Sequence, residues 1–520
     1  MKRKRILFAF FSEDMSYSSS IFGMMAKNKG WDVDFIYCQE NITDTYLQEH
    51  LIRNGIPDLL AVSFKTLERS SAFQVAKIAR SLGCKLIAGG IHPTVCSRDV
   101  FCSQLFDGIV VGDGLGVFSD IMDSYKVLDG SIIQGRVHEN LRLYIKRLFS
   151  DTQIENIKQS KSIEILTSMG CPYSCHFCLS TKKYIEFPME TVVDEIESLT
   201  AKFDIQRIKI RDDTFSSNLK RIHQFRKLLE QKGLSFSFNL QTRTNTFSEE
   251  IAEEMLKLDV EDLGFGVESA SPRILKFINK CAKIKHAYRA ADICKKFGLP
   301  FKPNFLFGIP TQVQSDYERT IDFVRETKPD AIFSYYLLPF PGSYLFEYCI
   351  DKGHLPKEFM FDHYKGESKR SEYFRRFFTT PGLLSNIDYY IASKFMKQLT
   401  ELDNSRKEKL IISKSKSIDN KPWIIFGTED YFFRVAEILS RYQWRNYLGY
   451  FDFRKEAYQM RRNNNILKQF DWSQAEQPYV VAVTVHKGKY YNSVIEPLLR
   501  NKFHFLGKII SMSTYNKNQY

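Results

Sequence analysis

The stretch Thr167-Ser168-Met169-Gly170-Cys171-Pro172-Tyr173-Ser174-Cys175-His176-Phe177-Cys178 decides how the chain is read. It sets three cysteines in the pattern Cys-x-x-x-Cys-x-x-Cys, on a loop after a mostly apolar run, Ile163 to Leu166, with the character of a buried strand. Thiolates are soft ligands suited to iron–sulfur clusters, and three of them cannot close a cubane that wants four protein ligands. One iron is left open. Structural zinc is the competing metal, but it wants a fourth Cys or His at ligand spacing. His176 lies between two of the cysteines, where reaching the same metal would strain the loop. The other seven cysteines (Cys38, Cys84, Cys96, Cys102, Cys281, Cys294, Cys349) are scattered singly, as core thiols are.

With Phe177 ahead of the last cysteine, the stretch resembles the motif of radical S-adenosylmethionine (SAM) enzymes, Cys-x-x-x-Cys-x-aromatic-Cys. The resemblance implies a [4Fe-4S] cluster on Cys171, Cys175 and Cys178, with Phe177 among the cofactor-binding residues. It also implies that the amino and carboxylate groups of SAM chelate the open iron, and that one electron from the cluster releases a 5′-deoxyadenosyl radical. A reduced flavodoxin- or ferredoxin-type electron donor goes with that chemistry.

At 520 residues the chain is too long for one ordinary core, and two to three domains are expected. It is 43% apolar and 26% charged, the balance of a soluble globular protein. No apolar stretch reaches the roughly 18 residues of a membrane span. Met1-Lys2-Arg3-Lys4-Arg5 imitates the start of a signal peptide, but the apolar run Ile6–Phe11 ends at Ser12-Glu13-Asp14 and reads as a first buried strand. Ten cysteines without a framework spacing fit a reducing cytoplasm. The net charge of +13 comes from basic residues spread along the chain, which fits a solvated surface rather than a nucleic-acid partner.

Residues 1–145 alternate apolar runs (Ile6–Phe11, Val33–Tyr37, Leu59–Phe64, Lys85–Ala88, Gly108–Val111) with helical pattern such as Ala72–Leu82, the rhythm of a Rossmann-like, doubly wound parallel sheet. Ligands in such sheets sit at the carboxyl ends of the strands. Three ends stand out: Ser63-Phe64-Lys65, Gly89-Gly90-Ile91-His92-Pro93-Thr94 and Val111-Gly112-Asp113-Gly114-Leu115-Gly116. This part resembles the cobalamin-binding domain that precedes the barrel in many radical SAM enzymes. The resemblance implies that Ser63, Gly89 and Gly90 border the cofactor's nucleotide tail, with Gly112 and Gly114 on a neighbouring loop; His92 is a candidate cofactor contact, its alternative being a structural histidine that caps the Gly-Gly turn. Asp113 keeps the first acid of the family's GEGE-like loop, whereas Leu115 replaces the second. The string Asp-x-His-x-x-Gly, whose histidine ligates cobalt from below in better-known cobalamin proteins, is absent, and its place reads Asp14-Met15-Ser16. A cobalamin-free flavodoxin-like domain is the alternative.

From about 160 to 375, strand-like runs (Ile163–Leu166, Arg207–Ile210, Ser235–Gln241, Leu263–Val267, Lys302–Phe307, Ala331–Leu338) alternate with helical ones such as Thr191–Ala201, Leu219–Gln231, Glu249–Leu258 and Asp316–Thr327. Six units predict a partial (β/α)6 TIM-like barrel with its chemistry at the carboxyl ends of the strands. There stand Arg211-Asp212-Asp213, Arg243, Glu268-Ser269 and Gly308-Ile309-Pro310. A zwitterionic sulfonium ligand needs acceptors for its ammonium and ribose hydroxyls and a donor for its carboxylate. Asp213, Glu268 and Arg243 are the types required. The runs Asp212–Phe215, Phe265–Ser269 and Pro339-Phe340-Pro341-Gly342 also resemble this family's barrel.

Residues 376–520 begin with a lysine-rich linker, Asn404–Lys421, then show strand-like runs at Trp423–Phe426, Tyr447–Phe451, Tyr479–Val483 and Phe505–Ile509, with a helical run Tyr431–Arg441. A small Rossmann-like α/β accessory domain is expected. Glu429 and Phe432 stand where a dinucleotide fingerprint needs glycine, which argues against nicotinamide. By resemblance the whole chain is expected to be a cobalamin-dependent radical SAM methyltransferase acting on an unactivated carbon of a small-molecule substrate. The rivals are ring closure or rearrangement with the same cofactors, methylthiolation, which wants extra cluster cysteines upstream, and a non-catalytic corrinoid-binding or sensing protein.

Overall fold

The computed structural model describes residues 3–11, 17–38, 44–180, 183–355, 392, 394–403 and 405, together with the backbone of six strands between 423 and 511. Its first sheet contains β1 (Arg5–Phe10), β2 (Asp32–Tyr37), β3 (Leu59–Ser63), β4 (Leu86–Gly89), β5 (Gly108–Val111) and β6 (Ser131–Gln134) in the order β2-β1-β3-β4-β5-β6, all parallel. These strands read as unbroken apolar runs because cores form on both faces. Leu7, Ala9, Leu60, Val62 and Ala88 enter one core, and Ile6, Phe8, Leu59, Ala61 and Ile87 the other. The order reverses between β1 and β3, so a crevice opens beyond the carboxyl ends of the strands. β1 starts and ends one residue earlier than its apolar run, and β3 ends one residue before the end of its own. β4 starts and ends one residue later than its apolar run, and β6 is an edge strand whose Ser131, Ile132 and Gln134 are exposed, so no buried run announces it.

The second sheet begins with β7 (Ser162–Ile165), after a helix Asp151–Ser160 capped by Ser150. A short antiparallel pair, β8 (Ser168–Met169) and β9 (Ile185–Glu186), encloses the three-cysteine loop. Then follow β10 (Arg207–Ile210), β11 (Ser237–Arg243), β12 (Val260–Glu268), β13 (Lys302–Phe307) and β14 (Phe333–Tyr336). The order β7-β10-β11-β12-β13-β14 runs with the sequence and stays open, so β7 and β14 are edges of a half-barrel. Helices Met189–Thr200, Leu219–Gln231, Glu249–Lys257, Ile284–Phe297 and Gln314–Thr327 cross back between the strands. Their apolar stripes, among them Val192, Phe225, Ala252, Ala290 and Ile321, share one core with Ile163, Ile208, Phe238, Leu263 and Phe305. Helical residues 394–403 join that core through Phe395 and Leu399, so packing on the barrel continues past residue 375.

Beyond it β15 (Trp423–Gly427), β16 (Tyr447–Asp452), the short antiparallel pair β17 (Arg461–Arg462) and β18 (Asn465–Ile466), β19 (Tyr479–Val483) and β20 (Leu506–Ser511) complete the strands. Four of them form a parallel sheet, β16-β15-β19-β20, as a Rossmann-like domain requires. Asp14-Met15-Ser16, the expected helix Tyr431–Arg441, Glu429, and Asn404 with residues 406–421 of the linker lie outside the described residues. No helix among the described residues is long and apolar enough to cross a membrane.

The turn after β4 shows how tightly the first sheet's crevice is shaped. Gly90 has φ +100°, and a Cβ there would stand 2.9 Å from both the amide nitrogen and the carbonyl oxygen of Phe64. Gly89, the last residue of β4, has nothing within 4 Å of an added Cβ. Gly90→Ala is expected to lower the unfolding free energy by about 1–3 kcal/mol, and Gly89→Ala to change it by less than about 0.5 kcal/mol. Urea unfolding followed by circular dichroism separates them, and equal losses would contradict this account of the turn.

Candidate active site

The three-cysteine loop is rooted on a buried carboxylate. Asp212, just past β10, accepts hydrogen bonds from the Thr167 amide at 2.7 Å, Thr167 Oγ1 at 2.5 Å and Ser168 Oγ at 2.6 Å. Burial pushes its carboxyl up, against the pull of these donors. Arg221, on the helix after β10, donates to the carbonyls of Phe187 and Thr167 and so ties the two strands together at the open end of the β8–β9 pair. On the loop, Cys171 is buried and Cys178 exposed, and burial pushes the Cys171 thiol up. The Cys178 amide donates to the Cys175 carbonyl at 3.1 Å, and Cys171 and Cys178 each feel the charge of Cys175. Among the described residues no group of three or more His, Cys, Asp or Glu side chains is arranged around a single-ion site. A cubane does not need one, since its three thiolates sit on three different irons. His176 is engaged elsewhere, its Nδ1 2.7 Å from the Phe277 carbonyl and its ring 4.1 Å from that of Tyr344.

Around this loop the structure brings most of the expected SAM contacts together. Arg243, the last residue of β11, lays its guanidinium over the Tyr173 ring at 3.8 Å, with Nη1 3.5 Å from Cys175 Sγ and Nη2 bonded to the Lys280 carbonyl. Glu268, the last residue of β12, is buried with φ +66°, a backbone strain that non-glycine residues keep mostly at functional sites. Its Oε1 lies 2.6 Å from Lys280 Nζ, and that ammonium stands 5.9 Å from the centre of the Phe177 ring. Asp213 accepts from Ser180 Oγ at 2.6 Å, and both it and Arg243 act on the charge of Cys171.

Lys280, which links Glu268, Arg243 and Phe177, was not legible in the sequence. It sits in a short connection between the helices Pro272–Phe277 and Ile284–Phe297, flanked by left-handed Asn279 and Cys281. Asn279 Nδ2 donates to the Ser174 carbonyl at 2.8 Å, fastening this connection to the cysteine loop. No periodicity marks such a segment; only the fold brings it to the site.

The first sheet carries a cavity of about 210 Å³ at its carboxyl edge. Ser63, Gly89, Gly90, Gly112 and Gly114 line it beside Asp113, and Phe8, Phe22, Ala61, Ile87, Val110 and Phe118 line it in depth. An apolar slot of that size with glycine at its lip suits a flat aromatic base. Thr94 Oγ1 donates to the Gly90 carbonyl at 2.7 Å and accepts from the Gly112 amide at 3.0 Å, joining the two glycine loops. Asp113 accepts from the Leu115 amide at 2.9 Å and from the Tyr144 hydroxyl at 2.7 Å. Leu115, in place of an acid, is buried in the barrel core.

His92 corrects an expectation. It is fully buried and does not line the cavity; Nε2 is 3.0 Å from Asp99 Oδ2 and Nδ1 3.2 Å from Thr66 Oγ1. Arg69 grips the same carboxylate with Nε at 2.6 Å and Nη2 at 2.7 Å, so His92 braces the glycine loop from beneath.

The two sheets' loops meet on Pro339-Phe340-Pro341-Gly342. A Cβ on Gly342 would lie 2.7 Å from Val95 Cγ1, just after the Gly89–Thr94 loop, and 3.6 Å from Leu179 Cδ2, one residue past Cys178. One turn therefore touches the residues that directly follow the glycine loop and the cysteine loop. Lys280→Met would leave Glu268 buried without a partner, with an expected loss of about 3–5 kcal/mol of stability. The double variant with Glu268→Gln is expected to lose less, as measured by chemical unfolding. Additive losses would mean the pair does not couple.

Comparison with known proteins agrees with this geometry. Residues 165–324 match the model of the radical SAM superfamily. An uncharacterized methyltransferase, PH0819 of Pyrococcus horikoshii, is 30% identical over 331 residues, covering 58% of this chain and 71% of the relative. Bacteriochlorophyllide d C-12(1)-methyltransferase of Chlorobaculum tepidum is 25% identical, covering 62% of this chain and 72% of that protein. Among solved structures, the radical SAM methyltransferase TsrM from Kitasatospora setae, determined with cobalamin and a [4Fe-4S] cluster, superposes with a TM-score of 0.54 at 15% identity, over 68% of this chain and 78% of that one, and so shares the fold. From the cysteine motif, the half-barrel and these relatives together, the chain belongs to the radical SAM superfamily.

Proposed function

We propose that this enzyme is a cobalamin-dependent radical SAM methyltransferase that places a methyl group on an unactivated carbon of a small-molecule substrate. The observation that supports the reading is the turn at Gly342, which touches both Val95, just after the Gly89–Thr94 loop, and Leu179, just after Cys178. Relatives named as methyltransferases support methyl transfer over rearrangement. Membership of the superfamily brings a [4Fe-4S] cluster and SAM. When bound, the cluster supplies the electron that splits SAM, and the corrinoid supplies the methyl group.

The chain's own residues would divide the remaining work. Cys171, Cys175 and Cys178 hold three irons and leave the fourth for SAM. Arg243, wedged between Tyr173 and Cys175, offsets thiolate charge and fixes the loop. Glu268 and Asp213 would offer acceptors to the ammonium and ribose of SAM, and Arg243, with Lys280 beside Phe177, would offer donors to its carboxylate. Ser63, Gly89, Gly90, Gly112 and Gly114 would receive the cofactor's nucleotide tail, with the apolar depth of the slot excluding water from its base. No charged group of the described lining apart from Asp113 opposes a neutral aromatic guest. A reduced flavodoxin or ferredoxin would deliver the electron, in a reducing cytoplasm that keeps the cysteines as thiols.

Anaerobic incubation of the reconstituted protein with reductant and methyl-labelled SAM tests the reading. A methyltransferase of this type yields both 5′-deoxyadenosine and S-adenosylhomocysteine, with label leaving SAM. A rearrangement enzyme yields 5′-deoxyadenosine alone. Cys175→Ala is expected to lose the 5′-deoxyadenosine, and equal cleavage by the variant would remove the mechanism.

A further inference from the structure

Arg147 lies in the connection between β6 and the helix Asp151–Ser160, with 7% of its surface exposed. Its guanidinium is held between two aromatic faces, 4.4 Å from the centre of the Tyr17 ring and 4.9 Å from that of Phe149. The rings cover its faces and leave its edge. On that edge Nε and Nη2 are buried and make no hydrogen bond. Among the described residues no carboxylate forms an ion pair with it. Nε–H and Nη2–H point the same way and form one side-on fork, the fork with which Arg69 grips both oxygens of Asp99.

A guanidinium cannot neutralise itself by giving up its proton, as a buried lysine can. Burying it without a counter-charge is among the most unfavourable arrangements a protein can hold. Facing it across the same pocket is a second unpaired group, Ser162 Oγ, on a residue 8% exposed at the start of β7. Asn156, Gln153 and Lys209 contribute further donors to the lining. Glu164 also lines the pocket but is occupied by Arg211, whose Nε is 2.9 Å from its Oε1. Glu195, on the helix Met189–Thr200, feels the Arg147 charge without pairing to it. The cavity measures about 100 Å³, room for a carboxylate or phosphate group and too little for SAM or a corrinoid.

We propose that this pocket, at the seam between the first sheet and the half-barrel, is a binding site for a small oxyanion, gripped bidentately by Arg147 and capped by Ser162. The site is separate from the reaction centre and does not depend on the methyl-transfer reading. Its occupant would join three pieces: Tyr17 from the first domain's leading helix, the connecting segment at 147–149, and β7. Tyr17 already reaches the root of the cysteine loop, its hydroxyl accepting from the Leu166 amide at 3.4 Å. Anion binding therefore stiffens the seam beside the cluster.

The test uses the full chain, reconstituted anaerobically, in chloride buffer of constant ionic strength with inorganic phosphate or acetate titrated in. Wild type is expected to melt at rising temperature with at least one of them, and calorimetry to give a saturable isotherm. Response to acetate alone marks a carboxylate ligand, and to phosphate alone a phosphate. Arg147→Met is expected to lose the response, and Arg147→Lys, which keeps the charge without the two-pronged fork, to weaken it. Ser162→Ala, which keeps the charge, is expected to weaken binding about three- to tenfold. Equal anion responses in wild type and all three variants, or no response to either anion, would overturn the site and leave ordered water as its occupant.

Discussion

Among the described residues Asp212 is a carboxylate without a cationic partner, satisfied by the backbone and hydroxyls of Thr167 and Ser168. Everything at the reaction centre depends on that knot. It fixes where β7 ends and where the cysteine loop begins, and it ties both to the end of the neighbouring strand. A cubane tolerates little error in where its thiolates stand, so the loop that holds them has to start from a rigid base. A buried carboxylate that meets three donors gives such a base, and Arg221 closes it from the other side.

From that base the remaining groups are held through one another. Arg243 reaches the loop by stacking on Tyr173 and reaches Lys280 through its carbonyl; Lys280 reaches Glu268 through a buried ion pair. Buried ion pairs contribute little net stability, but they fix geometry, because neither partner has a comparable alternative. The strained backbone at Glu268 fits the same picture. On the opposite side, His92, Asp99 and Arg69 fix the Gly89–Thr94 loop in a similar way, through charge and hydrogen bonds below the surface rather than at it.

Much of this was legible in the sequence where the physics is local. Three thiols within eight residues announce a cluster whatever the fold around them. Apolar runs announce strands, which is why five strands of the first sheet and the strands of the half-barrel and of the last sheet could be anticipated. β6 escaped because an edge strand has no such run, and Lys280 and Arg147 because their meaning lies in partners, or missing partners, far along the chain. His92 had two readings in the sequence, a cofactor contact and a structural histidine under the glycine turn, and its burial against Asp99 and Thr66 favours the second. Leu115 was noted as a departure from an acidic pattern, and its burial in the barrel core gives that departure a reason.

On the proposed reading, three thiolates hold an incompletely ligated iron–sulfur cube that would work with a corrinoid received at the first sheet. Metal and sulfide analysis of the anaerobically purified chain, read together with its ultraviolet-visible spectrum, tests this most directly. Iron and acid-labile sulfide are expected in equal amounts, with about one cobalt for every four irons. Zinc in place of iron would contradict it outright, and iron and sulfide without any capacity to take up cobalamin would contradict its corrinoid half.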